Sequence, residues 1–398
     1  MPADPRIELE ALLAESATSA DARRAETFDR LAGDRADRMA LFGAGGLGRT
    51  VLAHLRGLGV EPLAFVDNDA SLHGTVVDGL EVVAPSDAVA RLGDPAFVVT
   101  TMRGCVGGPP ADEVREQMTS LGAGVVIPAG LLFWKHADAF LPYYFVGRPS
   151  DVIEAADDVR RAYDLMADDR SRAEFVAHVR CRLTLDYRGT PPDDIASIYF
   201  PDDLVRIRDD EVFVDCGAFD GDALRGMIER SGGAFRRAIA YEPDPSNFAR
   251  LVAFVAGLPG DIAERVTLAR SAVGAHDGTA HFSDGADVQS AIVSEGGIQV
   301  PCVRLDAALA GAAPTFIKMD IEGGEADALA GARAIIREHE PLLAVSAYHR
   351  PADVWELPLL IHEMAGDCTF HLRPYMDACW DTVCYAIPKR RDERWTKS

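Results

Sequence analysis

TFIKMDIEGGEADALAGA, residues 315–332, is the stretch that decides the fold of the C-terminal half of the chain. It starts as an apolar strand and passes through two glycines into a helix. Lys318 and Asp320 stand on one face of the strand, and Glu322 and Glu325 flank the glycines. Burying one lysine with three carboxylates is costly unless the charges pair. The stretch therefore predicts a polar network or a functional site where the strand ends.

A second glycine loop lies upstream, in VFVDCGAFDGD, residues 212–222. It places Asp215 at a strand end, followed by a loop that enters a helix, and YEPDP then puts Glu242 at the end of the next strand. Together with Asp220 and Asp222 these residues make four neighbouring carboxylates. They would repel a pyrophosphate and attract a sulfonium donor that also carries an ammonium group.

The third strand of this series ends in SAVG, which would bring two small residues beside an adenine. A carboxylate at the second strand end can accept hydrogen bonds from both hydroxyls of one ribose. The predicted cofactor-binding residues are Asp215, Gly217, Ala218, Phe219, Asp220, Gly221, Asp222, Glu242, Pro243, Ser271, Ala272 and Asp320.

The C-terminal half, about residues 211–388, resembles the FkbM family of S-adenosylmethionine-dependent methyltransferases. The resemblance rests on VDCGAFDGD, YEPDPSNFARL, AVGAHDGTAHF and FIKMDIEGGEADALAGA. It implies a class I methyltransferase fold that acts mainly on hydroxyl groups of sugars or polyketide-like natural products. It also implies that Asp320, Glu322 and His349 lie where the acceptor approaches. The sequence departs from the family pattern at Pro374, where a histidine is expected.

Methyl transfer from a sulfonium mainly requires alignment of the donor and the acceptor, and a base helps when the acceptor is an alcohol. His349 is the first candidate for that base because histidine titrates nearest neutrality, and Asp320 and Glu322 come next. The predicted catalytic set is His349, Asp320, Glu322 and Lys318. A divalent cation held by Asp320 and Glu322 is an alternative that we do not favour. The predicted acceptor contacts are Tyr199, Ser290 and Arg373.

The front of the chain carries another glycine motif, Gly43, Gly45 and Gly48, after a strand and at the start of a helix. Asp67 follows at the next strand end, so a second nucleotide site is one interpretation. The other is that the glycines only permit a tight turn and close helix packing. FVDNDASLHGTVVDGLEVV, residues 65–83, resembles the N-terminal nucleotide-binding domains of sugar-modifying acetyltransferases. That likeness implies substrate presentation or assembly more than catalysis.

These patterns predict an α/β protein with two Rossmann-like domains joined by a helical connector. The C-terminal domain is expected to be a class I methyltransferase sheet that ends in an antiparallel edge pair, because its last strands come close together in sequence. The predicted segments are a helical start at 1–37, a Rossmann-like nucleotide-binding-type domain at 38–130, the connector at 131–204 and the methyltransferase domain at 205–398.

The amino-acid composition of the chain limits the kinds of partner that it is expected to bind. With 63 acidic and 40 basic residues the formal charge is -23, which disfavours nucleic acid. Seven cysteines without a CxxC pair favour reduced thiols in a cytoplasm. No apolar run approaches the ~18 residues of a membrane span. A small-molecule acceptor, such as a sugar or a nucleotide-linked sugar, is expected, and a homo-oligomer is compatible with the sequence.

Three other functions stay open at this point. The enzyme could methylate a nitrogen or a carboxyl group of a small metabolite. The first glycine motif could serve an NAD-dependent sugar-modifying enzyme. The chain could also be a nucleotide-sugar-binding protein without turnover.

Overall fold

A computed structural model of the chain describes residues 4–282, 292–293 and 298–392. The chain forms two compact units that interleave along the sequence. Unit 1 comprises 1–157, 173–191 and 377–380, and unit 2 comprises 158–172, 192–376 and 381–398. The predicted α/β class with two Rossmann-like sheets is confirmed. The predicted connector contributes residues to both units, and the four-segment division of the chain stays a prediction.

Unit 1 is built on a six-stranded sheet. Its strands are β1 (Met39–Phe42), β2 (Phe65–Val66), β3 (Val76–Val77), β4 (Leu80–Val83), β5 (Ala96–Val99) and β6 (Val125–Pro128). They lie in the order β3-β4-β2-β1-β5-β6, and every pairing except β3 with β4 is parallel. β1 and β5 are buried along their whole length, as expected of inner strands in a parallel sheet.

Along the chain, the helices of unit 1 precede, separate and follow the strands of this sheet. They are α1 (Pro5–Leu12), α2 (Ala17–Ala32), α3 (Gly46–Gly57), α4 (Pro85–Leu92), α5 (Pro109–Ser120), α6 (Ala129–Lys135), α7 (Ala137–Phe140) and α8 (Pro149–Glu154). α9 (Ala156–Leu165) and α10 (Asp169–Thr184) each contribute to both units. Short 3-10 turns occur at Gly33–Arg35, Met102–Gly104 and Ile195–Ser197.

Unit 2 contains two sheets. Its strands are β7 (Val212–Cys216), β8 (Arg237–Tyr241), β9 (Val266–Ala269), β10 (Ala272–Val273), β11 (Gly278–Phe282), β12 (Ile292–Val293), β13 (Ile298–Val303), β14 (Phe316–Met319), β15 (Leu342–Ser346), β16 (Cys368–Pro374) and β17 (Thr382–Pro388). The larger sheet has the order β16-β17-β15-β14-β7-β8-β9. β17 is antiparallel to both of its neighbours, which confirms the predicted edge pair. The separate sheet β10-β13-β11-β12 was not predicted.

The helices of unit 2 follow the strands of the larger sheet. They are α11 (Asp222–Arg230), α12 (Pro245–Ala256), α13 (Gly260–Ala263), α14 (Leu305–Ala308), α15 (Glu325–Ala330), α16 (Arg333–His339), α17 (Asp353–Met364) and α18 (Lys389–Asp392). Asp244 caps α12 by accepting hydrogen bonds from the N–H groups of Ser246 and Asn247. Among the described residues of the chain, we find no helix with the length and apolarity needed to cross a membrane.

The core of unit 2 fixes the segment that precedes β7. Phe213 and Phe316 are partners in register on β7 and β14, with ring centroids 5.2 Å apart at an edge-to-face angle. Phe200 packs on both rings, at 5.8 and 5.5 Å. Since such aromatic pairs add to the stabilisation from burial alone, the neighbouring Tyr199 is held firmly against the sheet.

Candidate functional site

The candidate site lies at the carboxyl ends of the parallel strands of unit 2. β7 pairs with β14 on one side and with β8 on the other, so the chain reverses its direction of winding at β7. Ligands of open α/β sheets bind in the crevice at such a switch point. Asp215, Glu242, Ser271, Asp320 and His349 all lie at or just beyond these strand ends.

Lys318 and Asp215 form a buried ion pair between β14 and β7. The two residues are partners in register, and Lys318 Nζ lies 3.0 Å from Asp215 Oδ1. The ammonium also donates to the carbonyl oxygen of Gly217 at 2.5 Å. Burial raises the pKa of Asp215 to about 6, although Lys318 opposes that rise. The contacts of Lys318 tie the glycine loop to the sheet, and its predicted catalytic role stays a prediction.

The glycine loop that follows β7 needs glycine at position 217. Gly217 has a φ of +79°, which L side chains rarely adopt. A Cβ on Gly217 would lie 1.8 Å from the carbonyl oxygen of Asp320. The loop after β7 and the end of β14 therefore approach each other too closely for any side chain. Phe219 in the same loop also has a positive φ, and its ring is half exposed.

Replacing Gly217 with alanine is expected to lower the free energy of unfolding by about 3 kcal/mol, because left-handed strain and overpacking add. Gly232→Ala is the matched control, since Gly232 has a φ of +58° and open space around its Cβ position. It should lose only about 1 kcal/mol from strain alone. Urea denaturation of both variants measures the difference, and equal losses would contradict the predicted clash.

Glu242 holds the glycine loop from the second strand end. It is 4% exposed, and its carboxylate accepts the N–H of Phe219 at 2.8 Å and the N–H of Asp244 at 2.9 Å. Burial raises its pKa, and these backbone donors oppose that rise. Each carboxylate oxygen keeps a second lone pair, so the group can still accept hydrogen bonds from two hydroxyls.

Ser271 lies at the third strand end with Ala272, and both are buried. Within the part of the chain that the structure describes, the Ser271 hydroxyl has no hydrogen-bond partner. A buried polar group without a partner is uncommon and calls for an explanation such as a ligand or a water. This site therefore fits a ligand that offers a donor or an acceptor.

The predicted acceptor side of the site is a cluster around His349. His349 Nδ1 donates to Glu325 Oε1 at 2.9 Å, which also accepts the N–H of Ile321 at 2.9 Å. His349 Nε2 lies 3.3 Å from Asp320 Oδ1 and 3.7 Å from Glu322 Oε2. The sequence-predicted residues Asp320, Glu322 and His349 are thus brought together. Glu325 was noted in the motif but was not assigned a role.

The charges of this cluster decide the protonation of its members. Burial alone would lower the pKa of His349, but Glu325, Asp320 and Glu322 together raise it to about 10. Asp320 behaves in the opposite way. Burial would raise its pKa, and His349 and Lys318 hold it below the usual value. At neutral pH the cluster therefore pairs a histidinium with an ionised Asp320.

Two residues that the sequence analysis missed border the cluster. Tyr348 shares a hydrogen bond with Asp381, which lies just before β17. Burial, reinforced by the charge of Asp320, raises the pKa of Asp381 to about 6. No local motif surrounds Asp381, so only the pairing of β17 with β15 could have placed it here.

Three residues of the cluster have a spacing that a divalent cation could use. Asp320, Glu325 and His349 each offer one ligand atom, and these atoms lie within 4.8 Å of one another. The set differs from the pair Asp320 and Glu322 considered from the sequence. A bound metal stays an alternative that the sequence analysis does not favour.

One predicted acceptor contact, Arg373, binds other residues than this cluster. Arg373 is buried, and its guanidinium binds Asp168, Asp203 and the Ser171 hydroxyl. These contacts occupy the group that was expected to orient an acidic acceptor. Ser290 lies outside the described residues. Tyr199 does reach the cluster, where its hydroxyl donates to Asp320 Oδ2 at 2.6 Å.

The first glycine motif, in unit 1, has internal contacts of its own. Asp67 Oδ2 accepts the N–H of Ala44 at 2.8 Å. A Cβ on Gly48 would lie 1.9 Å from the carbonyl oxygen of Gly43, so close packing of α3 requires that glycine. These contacts explain Gly43, Gly48 and Asp67 without a ligand, while Gly45 has open space at its Cβ position. A second nucleotide site stays a prediction.

The chain is similar to known methyltransferases. Residues 215–377 match the Methyltransferase FkbM domain family. The solved structure of a Methyltransferase FkbM from Methylobacillus flagellatus is 26% identical, with 96% of this chain and 100% of that chain covered and a TM-score of 0.77. A precorrin-6y C5,15-methyltransferase from Geobacter metallireducens is 10% identical, with 46% of this chain and 82% of that chain covered and a TM-score of 0.29, which is too low to support an argument. No curated protein sequence matches the chain.

The family match covers the strand ends that carry Asp215, Glu242, Ser271, Asp320 and His349. The structural match extends beyond it over nearly the whole chain. The resemblance noted in the sequence is therefore confirmed: residues 215–377 match the FkbM methyltransferase domain, and nearly the whole chain is similar to a solved FkbM methyltransferase.

Proposed function

We propose that the protein transfers a methyl group from S-adenosylmethionine to a hydroxyl group of a small molecule such as a sugar or a natural product. The proposal that S-adenosylmethionine is the methyl donor rests on the row of polar groups at three neighbouring strand ends. The Glu242 carboxylate keeps lone pairs for the hydroxyls of a donor, and the buried Ser271 hydroxyl has no partner among the described residues. The acceptor class rests on the FkbM family and on the cluster around His349.

On the donor side, this chain's residues bind and orient. Glu242 would accept hydrogen bonds from the ribose hydroxyls while it keeps the glycine loop in place. Ser271 would contact the base. The bound donor supplies a methyl group already activated on a sulfonium, so the protein's main task is alignment.

On the acceptor side, we assign the proton acceptor to Asp320. The carboxylates around His349 favour its protonated form, which cannot take a proton until it has lost its own. Asp320 is ionised and partly exposed, so it can accept the proton that leaves the acceptor hydroxyl. His349 then orients Asp320 from one side and stabilises its charge.

Donor binding is tested by calorimetry with S-adenosylmethionine and Glu242→Gln. The variant is expected to bind about 100-fold more weakly, because it loses hydrogen bonds from hydroxyls to a charged group. Glu264→Gln is the matched control, since Glu264 is exposed after α13, and it should bind as the unchanged protein does. Circular dichroism checks that both variants fold. Unchanged affinity in Glu242→Gln would refute the assigned donor site.

Transfer is tested by incubating the protein with methyl-labelled S-adenosylmethionine and an extract of small molecules. Mass spectrometry then locates the label. A methyl ether survives mild base, whereas a methyl ester is cleaved, and an N-methyl group is recognised from its fragments. Label in a base-stable ether supports the proposal, and label on nitrogen or in an ester assigns the alternative acceptors. An NAD-dependent activity would instead change nicotinamide fluorescence on mixing.

A further inference from the structure

Tyr199 stands outside the part of the chain that the family match covers. It lies between the 3-10 turn Ile195–Ser197 and β7, upstream of residue 215. Its φ of +68° is unusual for a bulky residue, and its side chain is 3% exposed. A strained backbone conformation persists only where surrounding contacts enforce it, and such residues cluster at functional sites.

Tyr199 binds Asp320 directly, and two further contacts hold it in place. The Tyr199 hydroxyl donates to Asp320 Oδ2 at 2.6 Å, a short hydrogen bond to a charged group. The Lys318 ammonium lies over the Tyr199 ring, 5.0 Å from its centroid. The backbone N–H of Tyr199 donates to the hydroxyl of Tyr385. Burial and the charge of Asp320 raise the pKa of Tyr199 well above its usual value, so the phenol remains a donor.

Tyr199 and His349 contact different oxygens of Asp320, Tyr199 through a hydrogen bond and His349 through a charge contact. Oδ2 accepts from Tyr199, and Oδ1 lies 3.3 Å from His349 Nε2. The hydrogen bond on one oxygen and the charge contact on the other both oppose rotation of the carboxylate plane. The oxygen that faces an acceptor therefore keeps a fixed direction, which is what alignment of a methyl transfer requires.

We propose that Tyr199 is a positioning residue that fixes the orientation of the proton acceptor Asp320. The inference rests on the proposed function, since it gives Tyr199 a role in that reaction rather than in contacting the acceptor. It also means that the working site includes residues on both sides of the start of the matched domain. Tyr199 acts through Asp320 and needs no contact with either substrate.

The kinetic test uses Tyr199→Phe in the full chain, with Tyr375→Phe as the matched control. Tyr375 is buried in the same core, and its hydroxyl lies 2.7 Å from that of Tyr385 without reaching Asp320. Rates are measured at saturating S-adenosylmethionine with serial dilutions of the extract fraction that accepts label. Tyr199→Phe should lower the limiting rate about tenfold, with the apparent KM and the donor Kd within twofold. Tyr375→Phe should retain the rate of the unchanged protein.

A second measurement does not depend on turnover. In protein labelled with ¹⁵N-histidine, the Nε2–H resonance of His349 should shift in Tyr199→Phe, because Asp320 is released. The Nδ1–H resonance should stay, because Glu325 still accepts it. An unchanged Nε2–H resonance of His349 in Tyr199→Phe would overturn the positioning role. Equal rate losses in Tyr199→Phe and Tyr375→Phe would also overturn it. Donor binding without label transfer by the unchanged protein would contradict the proposed function instead, and the resonance test would still decide the contact with Asp320.

Discussion

Replacing Lys318 with methionine is expected to lower the free energy of unfolding by about 3–5 kcal/mol, because it leaves a buried carboxylate without its partner. Asp215 is buried, and the Lys318 ammonium 3.0 Å from its Oδ1 is the charge that compensates it. Methionine has a similar volume, so the loss reports the charge and not a cavity. Urea denaturation followed by circular dichroism measures it.

Two further variants separate charge from packing. Lys389→Met removes an exposed lysine paired with the exposed Asp367, and it should cost less than about 1 kcal/mol. Adding Asp215→Asn to Lys318→Met should recover about 2 kcal/mol, because removal of both charges relieves the unpaired one. A double variant no more stable than Lys318→Met would show that the ion pair is not the cause.

Replacing Asp320 with asparagine is expected to lower the rate of methyl transfer by about 10²- to 10⁴-fold, the usual contribution of a positioned base. Asparagine keeps the size of the side chain and can still accept from Tyr199, but it cannot take up a proton at neutral pH. The rate is measured with label transfer at saturating donor. Calorimetry with S-adenosylmethionine measures donor binding separately.

The control for Asp320→Asn is Asp327→Asn, which changes an exposed carboxylate on α15, close by in the sequence. It should keep the full rate. His349→Gln distinguishes the two candidate bases. If His349→Gln abolishes transfer while Asp320→Asn loses less than tenfold, the proton acceptor is His349, as the sequence first indicated.

The residues proposed for the donor side could be grouped from the sequence because their signals are local. Asp215, Glu242 and Ser271 each close a short strand, and the carboxyl ends of parallel strands must meet at one edge of a sheet. Neither the order of the strands nor their register is needed for that conclusion. The resemblance to the FkbM family, and not the strand ends, implied that Asp320, Glu322 and His349 share one place, and the structure brings them together.

The acceptor side was less predictable because its contacts span long separations in sequence. Asp381 reaches the site through the antiparallel strand β17, and Tyr199 through the aromatic core beneath β7 and β14. Arg373 looked available in the sequence, but Asp168 and Asp203 take up its guanidinium. A pattern confined to a short window contains none of these partners.

The protonation state of His349 could not be predicted from the sequence, for a different reason. Its ordinary pKa suggested a base at neutral pH. Three carboxylates from one short loop and helix raise that pKa to about 10. The residues were visible in the sequence, but the side on which each carboxylate faces the ring was not. The proposal that Asp320 rather than His349 is the proton acceptor therefore depends on the geometry of the cluster.

The interleaving of the two units limits how this gene can be cut and recombined. Residues 158–172 belong to unit 2, where Asp168 binds His371 and Arg373, although most of unit 2 begins only after residue 191. A single crossover at the apparent boundary near residue 205 would transfer β16, which carries His371 and Arg373, without the segment that carries Asp168. Exchange of catalytic modules between relatives therefore preserves this network only when both halves are inherited together.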